Sequence, residues 1–154
     1  MTTSSETLRF KIGLSGTYHN NRPKYSVVVN DTEYASGTVS EESGKVFYVE
    51  FDAVFIEGTE NILRIRLENK NREDTVLDNG EIIKDMLLNI ESIEIDALDL
   101  GTLIWSKSLY RLDKPHKFDN TIVTELTNCV NLGWNGTYEF AFTSPFYFWL
   151  LENF

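Results

Sequence analysis

The feature that most constrains this chain is a period of two. From Phe47 to Phe55 the odd positions Phe47, Val49, Phe51, Ala53 and Phe55 are apolar, and Tyr48, Glu50 and Asp52 fall between them. Successive side chains of an extended chain point to opposite faces, so this pattern has one dry and one wet side only as a strand. The alternation recurs at Leu8, Phe10, Ile12 and Leu14, and at Leu63, Ile65 and Leu67, where Arg64, Arg66 and Glu68 face water. Tyr25 to Asn30 holds the β-branched run Val27-Val28-Val29, closed by the turn pair Asn30-Asp31. A short strand over about Glu33 to Val39 follows, then a polar turn at Glu42-Ser43-Gly44. In Met86 to Asp96 the apolar phase slips, from even positions Leu88 and Ile90 to odd positions Ile93 and Ile95. One extra residue near Glu91-Ser92, a β-bulge, accounts for the slip. Strands do not alternate with helices, which excludes a parallel α/β sheet.

The last third reads differently. Asp99 to Asn120 is irregular and contains Pro115, and the segment 119–131 has the spacing of a short helix, with Ile122, Val123, Leu126 and Val130 on one side. Tyr138, Phe140 and Phe142 mark a final strand. Ser144-Pro145 then reads as a cap followed by proline at the first position of a short aromatic helix. The expected fold is all-β: an antiparallel jelly-roll-type β-sandwich of seven or eight strands with a C-terminal extension carrying short helices. At 154 residues it is expected to be a single domain, its sandwich core over 7–100 and the irregular, aromatic extension over 101–154.

Charge narrows the partners. A net charge of -10 repels a phosphate backbone and an anionic membrane surface, and Lys and Arg are scattered along the sequence without a basic run. The single cysteine, Cys129, forms no internal disulfide and reads as a small buried hydrophobe. Met1 to Glu6 is polar and has no apolar stretch of a signal peptide, and no segment has the roughly 20 apolar residues of a membrane span. A protein made in the cytoplasm, with no membrane insertion, is expected. Enzyme constellations are missing: His19 and His116 sit in no nucleophile, base or zinc pattern and read as loop residues. Glu50 and Asp52, on one strand face, are a carboxylate pair of the kind glycosidases use, but such pairs also simply solvate a strand. Asn30-Asp31-Thr32 and Asn135-Gly136-Thr137 match a glycosylation pattern and read as turns.

The most informative stretch is Glu68 to Asp85, which joins two core strands. It carries Glu68, Glu73, Asp74, Asp78, Glu81 and Asp85, with Asn69, Asn71 and Asn79 between them. Calcium takes six to eight hard oxygens from carboxylates, amides and carbonyls, and this loop has that inventory, with Asp74, Asp78 and Asp85 as candidate metal ligands. The competing reading is a hairpin: Thr75-Val76-Leu77 and Glu81-Ile82-Ile83 flank the turn Asp78-Asn79-Gly80, and the carboxylates merely solvate it.

The order of a Val29-Asn30-Asp31 turn, the run Gly58 to Asn69 (Gly-x-x-Asn-x-Leu-x-Ile-x-Leu-x-Asn), an acidic loop, and Asp85 to Ile93 resembles the calcium-dependent xylan-binding carbohydrate-binding modules. The resemblance covers about residues 8–96. It implies a jelly roll with calcium in the loop, bridging sugar hydroxyls. In that family an Asn-Asp pair ends the strand and an Arg-Asp pair opens the next; here Asn69-Lys70 and Lys84-Asp85 stand in those places, and Asn89 stands where a second Asp is usual. The segment from Asn128 through Gly133-Trp134-Asn135-Gly136-Thr137-Tyr138 to Asn153 resembles the ends of small virion-type proteins of T4-like marine and cyanobacterial phages. That implies a particle component located in the virion.

Aromatics supply the remaining candidates. Trp105, Trp134, Tyr138, Tyr147 and Trp149 are of the type that stacks on sugar rings or anchors an interface, although large aromatics are more often core. Trp134, between Gly133 and Asn135-Gly136, lies in a turn and is the one expected to be exposed. The expected function is therefore a non-catalytic, carbohydrate-binding-module-like virion component that engages a glycan or a neighbouring virion protein. Asn69, Asp74, Asp78, Asn79 and Trp134 are its expected ligand contacts, with calcium as the one candidate cofactor. The alternative is a purely structural subunit, a possible homo-oligomer in which Phe146, Tyr147, Trp149 and Phe154 form the partner interface. A glycan-cleaving enzyme is a third reading.

Overall fold

The alternating runs become strands, and their apolar faces turn toward one another. The computed structural model describes residues 4–154; Met1–Thr3, the start of the polar N-terminal segment, lie outside the described residues. In chain order the strands are β1 (Ser5–Thr17), β2 (Lys24–Val29), β3 (Thr32–Thr38), β4 (Phe47–Ile56), β5 (Glu60–Leu67), β6 (Val76–Asp78) and β7 (Glu81–Lys84). They continue as β8 (Leu87–Ile95), β9 (Leu98–Asp99), β10 (Ser108–Phe118), β11 (Thr121–Thr127), β12 (Asn131–Leu132) and β13 (Gly136–Thr143). Two short helices, α1 (Leu103–Ser106) and α2 (Phe146–Asn153), fall in the C-terminal third. One sheet has the order β12-β8-β1-β4, with β9 also on β8; the other runs β11-β10-β13-β5-β2-β3; β6 and β7 form a separate hairpin. The fold is an antiparallel jelly-roll-type β-sandwich, as the sequence leads one to expect.

The core is the set of inward positions. Leu8, Phe10, Ile12 and Leu14 of β1 are buried, as are Val49, Phe51, Ala53 and Phe55 of β4 and Leu63, Ile65 and Leu67 of β5. Phe10 stacks on Phe51 at 4.9 Å within its own sheet and meets Phe142 of the opposite sheet at 6.3 Å. Phe55 meets the same Phe142 edge-on at 5.4 Å. These rings close the space between the sheets, where each large side chain removes most of its surface from water.

Two local expectations hold in detail. β8 pairs with β1 so that Gly13 faces Ser92 and Leu14 faces Ile90, which leaves Glu91 as the extra residue of a bulge. Asp78 pairs with Glu81 across a two-residue turn in which Asn79 and Gly80 have φ of 52° and 80°. That geometry is a type I′ turn, which favours an Asn-Gly pair because both positions are left-handed.

The last third differs from expectation. Ser108–Phe118 is a strand where irregular chain was predicted, and the segment expected to be helical contains β11 and β12 instead. Ile122, read as part of an apolar helix face, is exposed on the edge strand β11, so its spacing reported no buried stripe. Pairing with β10 decides the conformation there, as tertiary context commonly does for strands. The three strands β10, β11 and β13 make half of the second sheet, so residues 101–154 are built into the sandwich and carry the two helices within it.

The start of α2 is also capped differently. Ser144 does not cap it, and Pro145 sits just before its first residue. The Glu6 carboxylate of β1 accepts a hydrogen bond from the Phe146 backbone N–H at 2.8 Å and another from the Ser144 hydroxyl, placing an anion where a helix start favours one. Phe146 is thereby held in the core, which removes it from the expected partner interface, and Trp149 packs edge-on against Phe140 and Phe142. Tyr147, Phe148, Leu151 and Phe154 remain exposed.

On the outer face of the second sheet Glu139 of β13 accepts from Arg64 of β5 at 2.9 Å and from Arg111 of β10 at 2.6 Å. Burial raises its pKa, but the two guanidinium groups outweigh that and hold it below the ordinary glutamate value. Its depressed folded-state pKa means its stabilisation is present above the unfolded value and is lost as pH falls through the folded one. Urea unfolding below pH 5 is therefore expected to weaken more steeply with acid in the wild type than in Glu139→Gln, with the gap closing at acid extreme. Phe10→Ala, which empties the centre of the core, is expected to cost about 3–5 kcal/mol in the same assay.

Candidate ligand-binding cleft

A concavity lies where three segments meet: the chain after β5, the middle of β10, and the turn before β13. It holds about 510 Å³, within the roughly 300–1,000 Å³ of small-ligand sites. Lys70, Asn71, Arg72 and Thr75 form one wall, Asp113, Lys114, Pro115 and His116 the other, and Trp134 and Asn135 the back. A second hollow of about 560 Å³ sits at the other end of β5, around Asn30, Asn61, Arg64 and Trp149. Its only basic group and its asparagines are already engaged: Asn30 donates to Asn61 at 3.1 Å, and Arg64 to Glu139 at 2.9 Å. The cleft at Trp134 is the better candidate because it joins an indole to the cations Arg72 and Lys114, which form no ion pair among the described residues.

Each wall has a local cause. Pro115 has no N–H, and it falls in the stretch between Arg111 and His116 where the β10–β11 register is interrupted, the kind of place a strand tolerates proline. The interruption brings Asp113 to His116 to the cleft. Gly136 permits the back: a Cβ there would run into the Arg111 backbone, so only glycine lets β13 begin this close to β10. Buried Tyr110 then donates its hydroxyl to the Trp134 carbonyl, and burial pushes that phenol well above its ordinary pKa, so it stays a donor. The Trp134 ring stacks on His116 at 4.8 Å and takes the Phe118 ring edge-on at 5.0 Å. It is half-buried and lines the cleft, a less open placement than a bare turn.

The loop wall is fastened by Lys70. Its backbone N–H donates to Asn135 Oδ1 at 2.7 Å, and Asn135 Nδ2 returns a bond to its carbonyl at 2.9 Å, so the Asn135 amide pairs with Lys70 as a strand neighbour would. The Lys70 side chain is only 10% exposed, and its ammonium donates to Asp85 Oδ1 at 2.6 Å and to the Gly133 carbonyl at 2.5 Å. Asp85 Oδ1 also accepts from Thr75 Oγ1 at 2.7 Å and from the Met86 N–H at 2.9 Å. Burial raises the Asp85 pKa, yet Lys70 and Thr75 together hold it below the ordinary aspartate value.

These facts decide the fate of the acidic loop. Asp74 is buried and accepts from the Asn71 N–H at 2.7 Å, closing the 3-10 turn Arg72–Asp74. Asn69 spends its amide on the backbone of Lys24 and Arg22 at 2.7 and 2.9 Å, outside the cleft lining. Asp78 and Asn79 sit in the exposed hairpin turn, also away from it. Asn89 donates to Ser15 and Thr17. Asp74, Asp78 and Asp85 are not brought to one point, and among the described residues no three His, Cys, Asp or Glu side chains are grouped to hold a metal. With an ammonium already bonded to Asp85, this donor set does not fit calcium. Of the expected ligand residues, only Trp134 reaches the cleft.

The remaining candidates are accounted for elsewhere. Glu50 and Asp52 lie on the outer face of β4 beside Arg9, at 3.8 and 3.4 Å. His19 Nε2 bonds to the Asp74 carbonyl oxygen at 2.9 Å. Burial pushes the Cys129 thiol up, away from a reactive thiolate. His116, in contrast, is a strand residue against Trp134, and folding gathers Lys70, Arg72 and Lys114 around the same cleft. These cations are scattered in sequence and close in space. Nothing local signals such a grouping, although Gly133-Trp134-Asn135-Gly136 did point to the turn at its back.

No protein-family model matches the chain, and no curated protein matches it. Among solved structures it is similar to "vCBM60 in complex with galactobiose", with 14% identity, a TM-score of 0.50, and coverage of 86% of this chain and 96% of that one. It is also similar to the selenomethionine form of vCBM60, at 13% identity and a TM-score of 0.51, covering 86% of this chain and 89% of that one. For that structure, circular permutation is given as an evolutionary link between two families of calcium-dependent carbohydrate binding modules. The likeness is one of fold.

Lys70→Met leaves the Asp85 carboxylate without its cation and is expected to cost about 3 kcal/mol in urea unfolding. Lys70→Met/Asp85→Leu, which removes both charges, is expected to recover a large part of that loss. Equal losses in the single and double variants would show that the pair does not act together.

Proposed function

We propose that this domain binds a glycan, without catalysis, in the cleft between the Lys70–Thr75 segment and Asp113–His116. The observation that carries the reading is the composition of that cleft. An indole and a proline ring supply apolar surface of the kind that suits sugar C–H faces, with the polar side chains of Asn71, Arg72, Lys114 and His116 lining the cleft beside them. A fold shared with a carbohydrate-binding module supports it. The Lys70 ammonium already holds the Asp85 carboxylate, so binding is proposed to need no calcium. The virion-type resemblance of the C-terminal segment supports placing the domain on a phage particle, made in the host cytoplasm.

A second reading rests on a separate observation. Tyr147, Phe148, Leu151 and Phe154 leave an apolar face of α2 exposed, with Phe154 at 83%, which favours a subunit that associates through its C-terminal helix. Light scattering separates the two, because Tyr147→Ser/Phe148→Ser/Leu151→Ser dissolves an oligomer and leaves the cleft intact.

For the glycan reading, Trp134→Ala is expected to reduce retention on a polysaccharide array at least about tenfold, with the far-UV spectrum unchanged. Retention and melting temperature are expected to shift by less than about 1 °C or twofold between calcium and a chelator, since a ligand that does not bind the native state does not stabilise it. Absence of retention across the array would end this reading.

A further inference from the structure

We propose that the ligand is an anionic glycan, one carrying a carboxylate or sulfate on or beside the ring that packs against Trp134; this rests on the glycan-binding reading. The whole chain has 14 Lys and Arg against 24 Asp and Glu. The cleft inverts that ratio: Lys70, Arg72 and Lys114 line it, with Asp113 as the sole acid.

Of the acids at the cleft, Asp113 and Asp85 are matched, while Asp74 beside Arg72 is buried and bonded to the Asn71 N–H. Arg66 grips Asp113 with two bonds, of 2.9 and 2.6 Å, and Lys70 neutralises Asp85. Among the described residues neither Arg72 nor Lys114 forms an ion pair, and both are exposed. Glu73, next to Arg72 in the same 3-10 turn, does not line the cleft. Two unmatched cations thus face a concavity backed by an indole, in a chain with carboxylates to spare.

The net charge of -10 works against any anion at long range. Screening decides which effect wins. At physiological ionic strength the Debye length is about 8 Å, so exposed carboxylates farther away are largely damped, and the cations lining the cleft act at contact. Arg72 suits a planar carboxylate or a sulfate through paired N–H donors, and Lys114 adds a point charge. The same balance disfavours a nucleic acid, whose phosphates repeat beyond the cleft onto acidic surface.

The test is titration calorimetry of the full chain with oligogalacturonate, a sulfated galactan oligosaccharide, a neutral galactan oligosaccharide and a single-stranded oligonucleotide, at low and high salt. One or both anionic sugars are expected to bind at least about tenfold tighter than the neutral one, with affinity falling as salt rises; which of them does so identifies the group as carboxylate or sulfate. Arg72→Ala/Lys114→Ala is expected to lower that affinity about tenfold and flatten the salt dependence, with melting unchanged. The charge-matched control Lys84→Ala/Lys107→Ala, at exposed cations outside the cleft, is expected to bind as the wild type does. Equal or tighter binding of the neutral sugar overturns the proposal and leaves the glycan reading standing. Preference for the oligonucleotide, or equal loss in the control, also overturns it. Binding to no sugar overturns both.

Discussion

Strand β13 is hydrogen-bonded along both edges, to β5 from Gly136–Leu67 through Thr143–Glu60, and to β10 from Gly136–Leu112 through Ser108–Phe140. The second sheet depends on that double pairing. Tyr138, Phe140 and Phe142 enter the core from it, and Glu139 ties its two neighbours together on the outer side. Because β13 begins where β5 ends, the turn Gly133–Asn135 must emerge beside Lys70. Because β10 loses its pairing with β11 after Arg111, Asp113 to His116 meets the same turn from the other side. The cleft is the meeting of these three chain ends, and its position follows from backbone pairing before any side chain is considered.

What fills the junction is a fixed cation. An ammonium offers three donors and one charge, and Lys70 has already directed its charge to Asp85 and a bond to the Gly133 carbonyl. A calcium ion offers more positions and leaves some open to a ligand's hydroxyls. Lys70 cannot present open positions in that way, so its contribution is to hold the loop wall against the back of the cleft. A ligand in the proposed cleft would meet the side chains that are not consumed by the fold: Trp134, Arg72 and Lys114. Asp74 and Asn69 illustrate the opposite case. Both look like ligand residues by type, and both are spent on backbone N–H and carbonyl groups, which attract the same chemistry as a metal or a sugar does.

The parts of the fold legible in the sequence are those with a local cause. Strands β1, β4 and β5 announce themselves by alternation, the bulge at Glu91 by a slip in phase, and the turn at Asn79-Gly80 by its two left-handed residues. Residues 108–127 carried no such mark. β11 is an edge strand whose Ile122 points to water, so its apolar residues form no face, and β10 contains a proline in its unpaired stretch. Of the cleft, Trp134 was legible because glycine and asparagine around it predict a turn. Arg72, Lys114 and His116 were not, since 42 residues separate Arg72 from Lys114 and no short-range pattern links them.

By itself the sequence determined that this protein is an acidic, antiparallel β-sandwich, because hydrophobic alternation and turn chemistry act over a few residues and leave one extended solution. Only the tertiary structure decided what the Glu68–Asp85 segment became. The same carboxylates suit a calcium loop or a hairpin, and in the fold the segment forms a hairpin with Asp85 bonded to Lys70. Lys70 reaches Asp85 across fifteen residues and Gly133 across 63, contacts that exist only once β13 is in place beside β5. Charge in a sequence is a sum, whereas charge in a cleft is an arrangement, and strand pairing made the arrangement positive in a chain whose sum is -10.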